Sequence, residues 1–111
     1  MLYRLRMTET EIIEELGRRL AESAPSGSQV VLFGSRATGV ATDESDYDVL
    51  VIEPAVANGA EESVRLREAL DDLRTPIDVI VVAEDVARRR AVVRGTVVEC
   101  ALREGRVLAR T

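Results

Sequence analysis

Three aspartates occupy positions where apolar strands are written. Asp46 and Asp48 open the run Asp46-Tyr47-Asp48-Val49-Leu50-Val51-Ile52, and Asp78 interrupts Ile77-Asp78-Val79-Ile80-Val81-Val82. An unpaired carboxylate in such a run either bears a large desolvation cost or is driven toward its neutral form. Side chains alternate along a strand, so Asp46 and Asp48 point to one face, and Asp78 joins them if its strand lies alongside. Convergent acids without lysine or histidine nearby repel one another, and divalent cations would neutralise them. Oxygen-only ligands favour magnesium or manganese. Taken singly the signals are weaker: Asp46 and Asp48 also suit a strand that begins at a solvent edge, and Asp78 also suits an ion pair with an arginine. An EF-hand loop begun at Asp46 is a poor fit, because Leu50 stands where the third ligand belongs and no glycine follows.

Gly34-Ser35 follows the apolar run Val30-Val31-Leu32-Phe33. A glycine there lets a phosphate approach the backbone, and the serine adds a hydroxyl and an exposed N–H. The same pair also fits a plain strand-to-turn glycine with Ser35 as a helix cap. The spacing from Gly34 to Gly39 imitates the opening of a P-loop, but Val40-Ala41 stands where Lys-Ser/Thr is required, so that motif is rejected. Histidine and lysine are absent from the 111 residues, and all 15 basic residues are arginine. A Ser-His-Asp triad, a histidine base and a Schiff-base lysine are therefore excluded. A lone cysteine, Cys100, leaves no internal disulfide or cysteine-rich zinc site and suits a reducing cytoplasm. It reads as a small core residue. A formal net charge of -5 argues against nucleic acid or an acidic membrane as the main partner.

The elements that must position these groups follow from periodicity. With 46% hydrophobic and 32% charged residues, the chain reads as one globular domain over 1–111. Thr8 and Glu11 have capping-box spacing, and Ile12, Ile13, Leu16 and Leu20 recur at helical intervals, which predicts a helix from about Thr8 to Ser23. Val30–Phe33 and Asp46–Ile52 read as strands, Glu61–Leu73 as an amphipathic helix with Leu66, Leu70 and Leu73 on one stripe, and Ile77–Val82 as a third strand. A last long helix is expected over Asp85–Glu104, with Val86, Val93, Val97, Cys100 and Ala101 inward and Gly95 as a weak point. Gly105 is its expected cap, and Val107-Leu108 the expected edge strand. Met1 to Thr10 has no continuous apolar core of the kind a signal or anchor needs, and no stretch approaches bilayer length. Met7 is an alternative start. The fold class is α/β in layers, a small mixed sheet of three or four strands with helices packed mainly on one face and the acids on an open face or rim.

The arrangement Gly34-Ser35, ten residues, Asp46-Tyr47-Asp48 with Val49-Leu50-Val51 behind it, and later Ile77-Asp78-Val79 resembles the minimal nucleotidyltransferases of the DNA polymerase beta superfamily. The resemblance covers roughly Val30 to Val82. It implies a nucleotidyltransferase-like fold and transfer of a nucleoside monophosphate from a triphosphate to a hydroxyl. It further implies two magnesium or manganese ions about 4 Å apart, bridged by Asp46 and Asp48. Asp78 would bind the first ion and help to accept the hydroxyl proton. Gly34 and Ser35 would hold the terminal phosphates, and Arg36 would offset charge on the leaving pyrophosphate. The chain departs from the family variant Gly-Ser-x-Ala-Arg-Gly at Thr38, which puts one phosphate contact in doubt.

Among such enzymes the chain is similar to the antitoxins paired with HEPN-type ribonuclease toxins. This implies ATP as donor, AMP transfer to a tyrosine of the toxin, and a hetero-oligomer in the cytoplasm with neither nucleic acid nor membrane as direct partner. Two alternatives stay open: a noncatalytic nucleotide- or partner-binding module that masks the toxin stoichiometrically, and transfer to a small molecule or an RNA end. Arg88-Arg89-Arg90 with Arg94 reads as a solvated helix face or, less simply, a docking patch for an acidic surface. Tyr47 should face the opposite side of the sheet from the acids and pack. Tyr3 offers a hydroxyl for self-modification, with no further support.

Overall fold

The computed structural model describes residues 7–111. Helix α1 (Glu9–Ser23) starts at Thr8, whose side chain accepts from Glu11 N while Glu11 reaches back to the Thr8 N–H, the expected capping box. Ile13, Leu16 and Leu20 form its buried face. Strand β1 (Gln29–Phe33) follows, then the short helix α2 (Ser35–Thr38) and strand β2 (Tyr47–Glu53). Helix α3 (Gly59–Glu68) begins two residues earlier than the leucine stripe suggests, because Asn58 caps it by accepting from Glu61 N at 3.1 Å. Its stripe continues through a 3-10 turn at Asp71–Leu73, which keeps Leu66, Leu70 and Leu73 buried although the α-helix has ended. Strand β3 (Ile77–Ala83) runs into helix α4 (Glu84–Arg90), and helix α5 (Val97–Glu104) leads through Gly105 to strand β4 (Arg106–Arg110).

The single long helix expected over Asp85–Glu104 is thus two helices. Gly95 adopts φ +90°, a left-handed conformation that ends helical continuity. Thr96 then caps α5: its hydroxyl oxygen accepts from Glu99 N at 3.1 Å and donates toward the Arg90 and Val93 carbonyls at 3.0 Å each. The break rotates the inward set, so Ala87, Val98 and Ala101 are buried while Val93 and Val97, expected inward, are exposed. Val86 and Cys100 are half-buried.

The four strands form one mixed sheet in the order β3-β2-β1-β4. β1 is antiparallel to both β2 and β4, and β2 is parallel to β3 with α3 as the crossover. The two longest helices, α1 and α3, pack on one face against Val30, Leu32, Val49, Val51 and Val79. On the other face α4 and α5 cover Val31, Leu50, Ile52 and Val82. Alternation along β2 and β3 puts Asp48 and Asp78 on this second face, upstream of the covered positions.

Candidate active site

The parallel register sets Asp48 of β2 directly opposite Asp78 of β3. Asp46, two residues before Asp48 and just outside β2, shares with Asp78 a cavity of about 350 Å³ that also meets Arg67, Leu70, Asp71, Thr75, Pro76 and Ile77. Asp46 and Asp78 are exposed and Asp48 is half-buried. Burial is the first cause that pushes the Asp48 carboxyl above its ordinary range, and the charges of Asp78 and then Asp46 add to it. None of the ion pairs among the described residues uses any of the three acids.

Among the described residues no three acid or thiol groups converge closely enough to hold an ion as they stand. In chemistry the donor set nonetheless fits a hard divalent cation. It is oxygen-only, carries surplus negative charge that no ion pair among the described residues offsets, and includes a carboxylate that its neighbours disfavour.

Gly34 joins β1 to this cluster. Its φ of +74° suits glycine, and a Cβ there would collide with Asp48 Oδ2 and lie 3.3 Å from Asp48 Cγ. The close approach places the start of α2 against the Asp48 carboxylate. Ser35 and Arg36 contribute the first N–H groups of α2 and have no acceptor within its ladder. Thr38, where the resemblance has a basic residue, closes the turn instead by donating its hydroxyl to the Gly34 carbonyl at 3.3 Å.

Arg36 does not join the acids. Its Nη1 donates to Glu9 Oε2 at 2.8 Å, Nε and Nη2 donate to the Ser45 carbonyl at 3.3 and 2.9 Å, and the guanidinium lies 4.4 Å from the Tyr47 ring centroid. Tyr47 packs in the core on the α1 side, as its alternation with Asp46 and Asp48 predicts, so Arg36 is held on the opposite side of the sheet from Asp48. In this arrangement Arg36 braces the 39–46 loop, and with it the approach to Asp46. Tyr3 lies outside the described residues. Arg88 and Arg89 pair with Glu84 and Asp85 along α4, the pattern of a solvated helix face.

Two features went unread in the sequence. Arg67 shares the aspartate cavity, a placement set by the end of α3 and by no motif. Glu53 ends β2 on the α3 side, 2% exposed, with Oε2 lacking any hydrogen-bond partner. Burial first, then the hydrogen bond and charge of Glu62, push its carboxyl up to about 7. Glu62 is held down to about 2, first by Arg65 and then by Glu53. An acid closing an apolar strand was the available signal, the same one that marks Asp78.

The sequence profile of the nucleotidyltransferase domain family matches residues 10–102. The chain belongs to this family. No curated protein matches it significantly. Among solved structures it is similar to a Sulfolobus solfataricus protein described as a nucleotidyltransferase, at 24% identity and TM-score 0.58, over 86% of this chain and 75% of that one. It is also similar to a chain of a toxin–antitoxin structure with AMP-PNP, at 23% identity and TM-score 0.57, over 95% of this chain and 75% of that one. A third likeness is to a chain of a toxin–antitoxin MntA–HpeT mutant, at 18% identity and TM-score 0.61, over 95% and 75%. At these identities the structures speak for the fold, a nucleotidyltransferase fold with a four-stranded mixed sheet. No helix of the described residues is long and apolar enough to cross a membrane.

Proposed function

We propose that this nucleotidyltransferase domain moves AMP from ATP to a hydroxyl, a tyrosine of a HEPN-type ribonuclease toxin, and acts in the cytoplasm as that toxin's antitoxin, with residues 1–111 working as one unit. The observation that carries the chemistry is the Asp48–Asp78 register on the open end of the sheet, with Gly34 packed against Asp48. Support for the partner comes from fold likeness to chains of toxin–antitoxin structures, one of them holding AMP-PNP.

In this reading Asp46, Asp48 and Asp78 would hold two divalent cations, magnesium or manganese, which would supply positive charge at the triphosphate and acidify the attacking hydroxyl. Gly34 and the Ser35 hydroxyl and N–H bind the terminal phosphates. The acceptor oxygen attacks the α-phosphorus, the bond to the bridging oxygen breaks, and pyrophosphate leaves toward Gly34-Ser35. Asp78 takes up the hydroxyl proton. Arg36 acts at one remove, holding the loop that carries Asp46.

One observation favours a second function, a noncatalytic module that masks its partner: the three acids do not converge on an ion site as they stand. The two part company in a lysate of the host supplied with magnesium and α-labelled ATP. A protein labelled by wild type and not by Asp46→Asn/Asp48→Asn identifies the acceptor and supports transfer. Absence of label, under conditions where the protein binds magnesium-ATP, overturns protein adenylylation.

A further inference from the structure

Across the open end of the sheet the groups run in a fixed order. Gly34 and Ser35 stand at the end of β1, Asp48 on β2 and Asp78 on β3, followed by the cavity that Asp46 and Asp78 share. Among the described residues Arg67, in the last turn of α3, is the one cation lining that cavity. Arg18, Arg19, Arg36, Arg65 and Arg103 are each held by a carboxylate. Arg67 is exposed, and no ion pair or side-chain hydrogen bond among the described residues uses its guanidinium. Leu70, Pro76 and Ile77 give the cavity an apolar wall.

In-line displacement sets the attacking oxygen and the leaving group on opposite sides of the phosphorus. If pyrophosphate leaves toward Gly34-Ser35, the hydroxyl arrives from the β3 side, where this cavity opens. We propose that Arg67 selects the acceptor by binding a carboxylate next to the acceptor hydroxyl, so that the substrate is an acidic segment of a protein. This rests on the phosphate placement in the function proposed above. One cation among Asp46, Asp71 and Asp78 matches a single carboxylate, whereas a nucleic-acid end would bring a run of phosphates to a chain of net charge -5. The apolar wall meets the body of the acceptor side chain, and Arg67 meets its neighbour.

The test uses the full chain with magnesium and AMP-PNP, and four labelled probes: a short peptide with one tyrosine between two aspartates, its asparagine and lysine counterparts, and an RNA oligonucleotide. Wild type should bind the aspartate peptide more tightly than the asparagine peptide, by about fivefold at low salt, the size of an exposed ion pair with one charged hydrogen bond. Arg67→Ala should erase the difference, and Arg67→Glu should turn the preference to a lysine-flanked peptide, a reversal that a merely structural role would not produce. No peptide binding, equal affinities, or a preference that survives Arg67→Ala overturns the inference. Arg67-dependent binding of the RNA in place of the peptide also overturns it. Arg67-dependent peptide binding without transfer from α-labilled ATP upholds the acceptor cavity and sinks the transferase function. Transfer that ignores the flanking residues does the reverse.

Discussion

Replacing Glu53 by glutamine should stabilise the protein above neutral pH and leave it almost unchanged in mild acid. The side chain is 2% exposed, and its carboxyl is pushed from an ordinary 4.5 up to about 7, by burial first and then by the hydrogen bond and charge of Glu62. The folded state therefore holds this proton more tightly than the unfolded chain. Between about pH 4.5 and 7 the unfolded chain has released the proton while the native state keeps it, so stability falls as pH rises through that window and levels off above it. A rise of this size corresponds to about 3 kcal/mol as a ceiling, and relaxation around the ionised group brings the expected effect to about 2 kcal/mol. Glu62 acts in a separate window with the opposite sign. Held down to about 2 by Arg65 and then Glu53, it contributes stability above its unfolded value and loses it as pH falls toward 2. Glutamine at position 53 keeps an N–H to donate to Glu62 and has no charge to bury. Urea unfolding at pH 5 and pH 8 reads the outcome as the difference between the two proteins, since Asp48 adds a slope of the same sign to both. If wild type and Glu53→Gln lose the same stability between the two pH values, the reasoning about Glu53 is refuted.

Gly34→Ala should cost about 2 kcal/mol or more, from the positive φ and the collision with Asp48, and should weaken magnesium binding; thermal unfolding with and without magnesium reads both. Asp48→Asn should raise the melting temperature without metal, because its carboxyl is raised by burial, Asp78 and Asp46 and so costs stability when ionised. The same variant should lose the magnesium-dependent gain of about 1.4 kcal/mol expected at ten times the dissociation constant. Arg36→Ala should destabilise by about 1 kcal/mol and loosen the 39–46 loop, detected as faster amide exchange there; a purely catalytic loss with unchanged exchange would contradict the strut assignment.

Strand and helix positions were legible where one signal dominated. Thr8 and Glu11 announced α1, and the apolar runs at Val30, Val49 and Val79 announced the strands, because the capping box and the burial of both strand faces leave few alternatives. The last helix was misread because helical periodicity among valines outweighed a second Thr-x-x-Glu, at Thr96 and Glu99, that marks a new start beside Gly95. The placement of the Arg36 side chain was illegible for a different reason. Its place in the chain, beside Gly34-Ser35, says nothing of where a long side chain goes, and the Tyr47 ring, Glu9 and the Ser45 carbonyl draw it across the sheet. Arg67 depends on where α3 ends relative to β3, which only the packed structure gives.

Asp48 and Glu53 show how one chemical signal yields two outcomes. Both are acids in the same strand, and both have carboxyls raised first by burial. Their odd separation sends them to opposite faces. Glu53 lands under α3, where Glu62 and Arg65 answer it from within the chain, and its charge becomes a question of proton uptake. Asp48 lands on the face that α4 and α5 leave open at that end, beside two further acids and no arginine of the described residues paired to any of them. Raising its pKa is only a partial remedy, since Asp78 and Asp46 still stand beside it, exposed at the same end of the sheet. In the proposed function a divalent cation would meet the remaining repulsion from outside these residues.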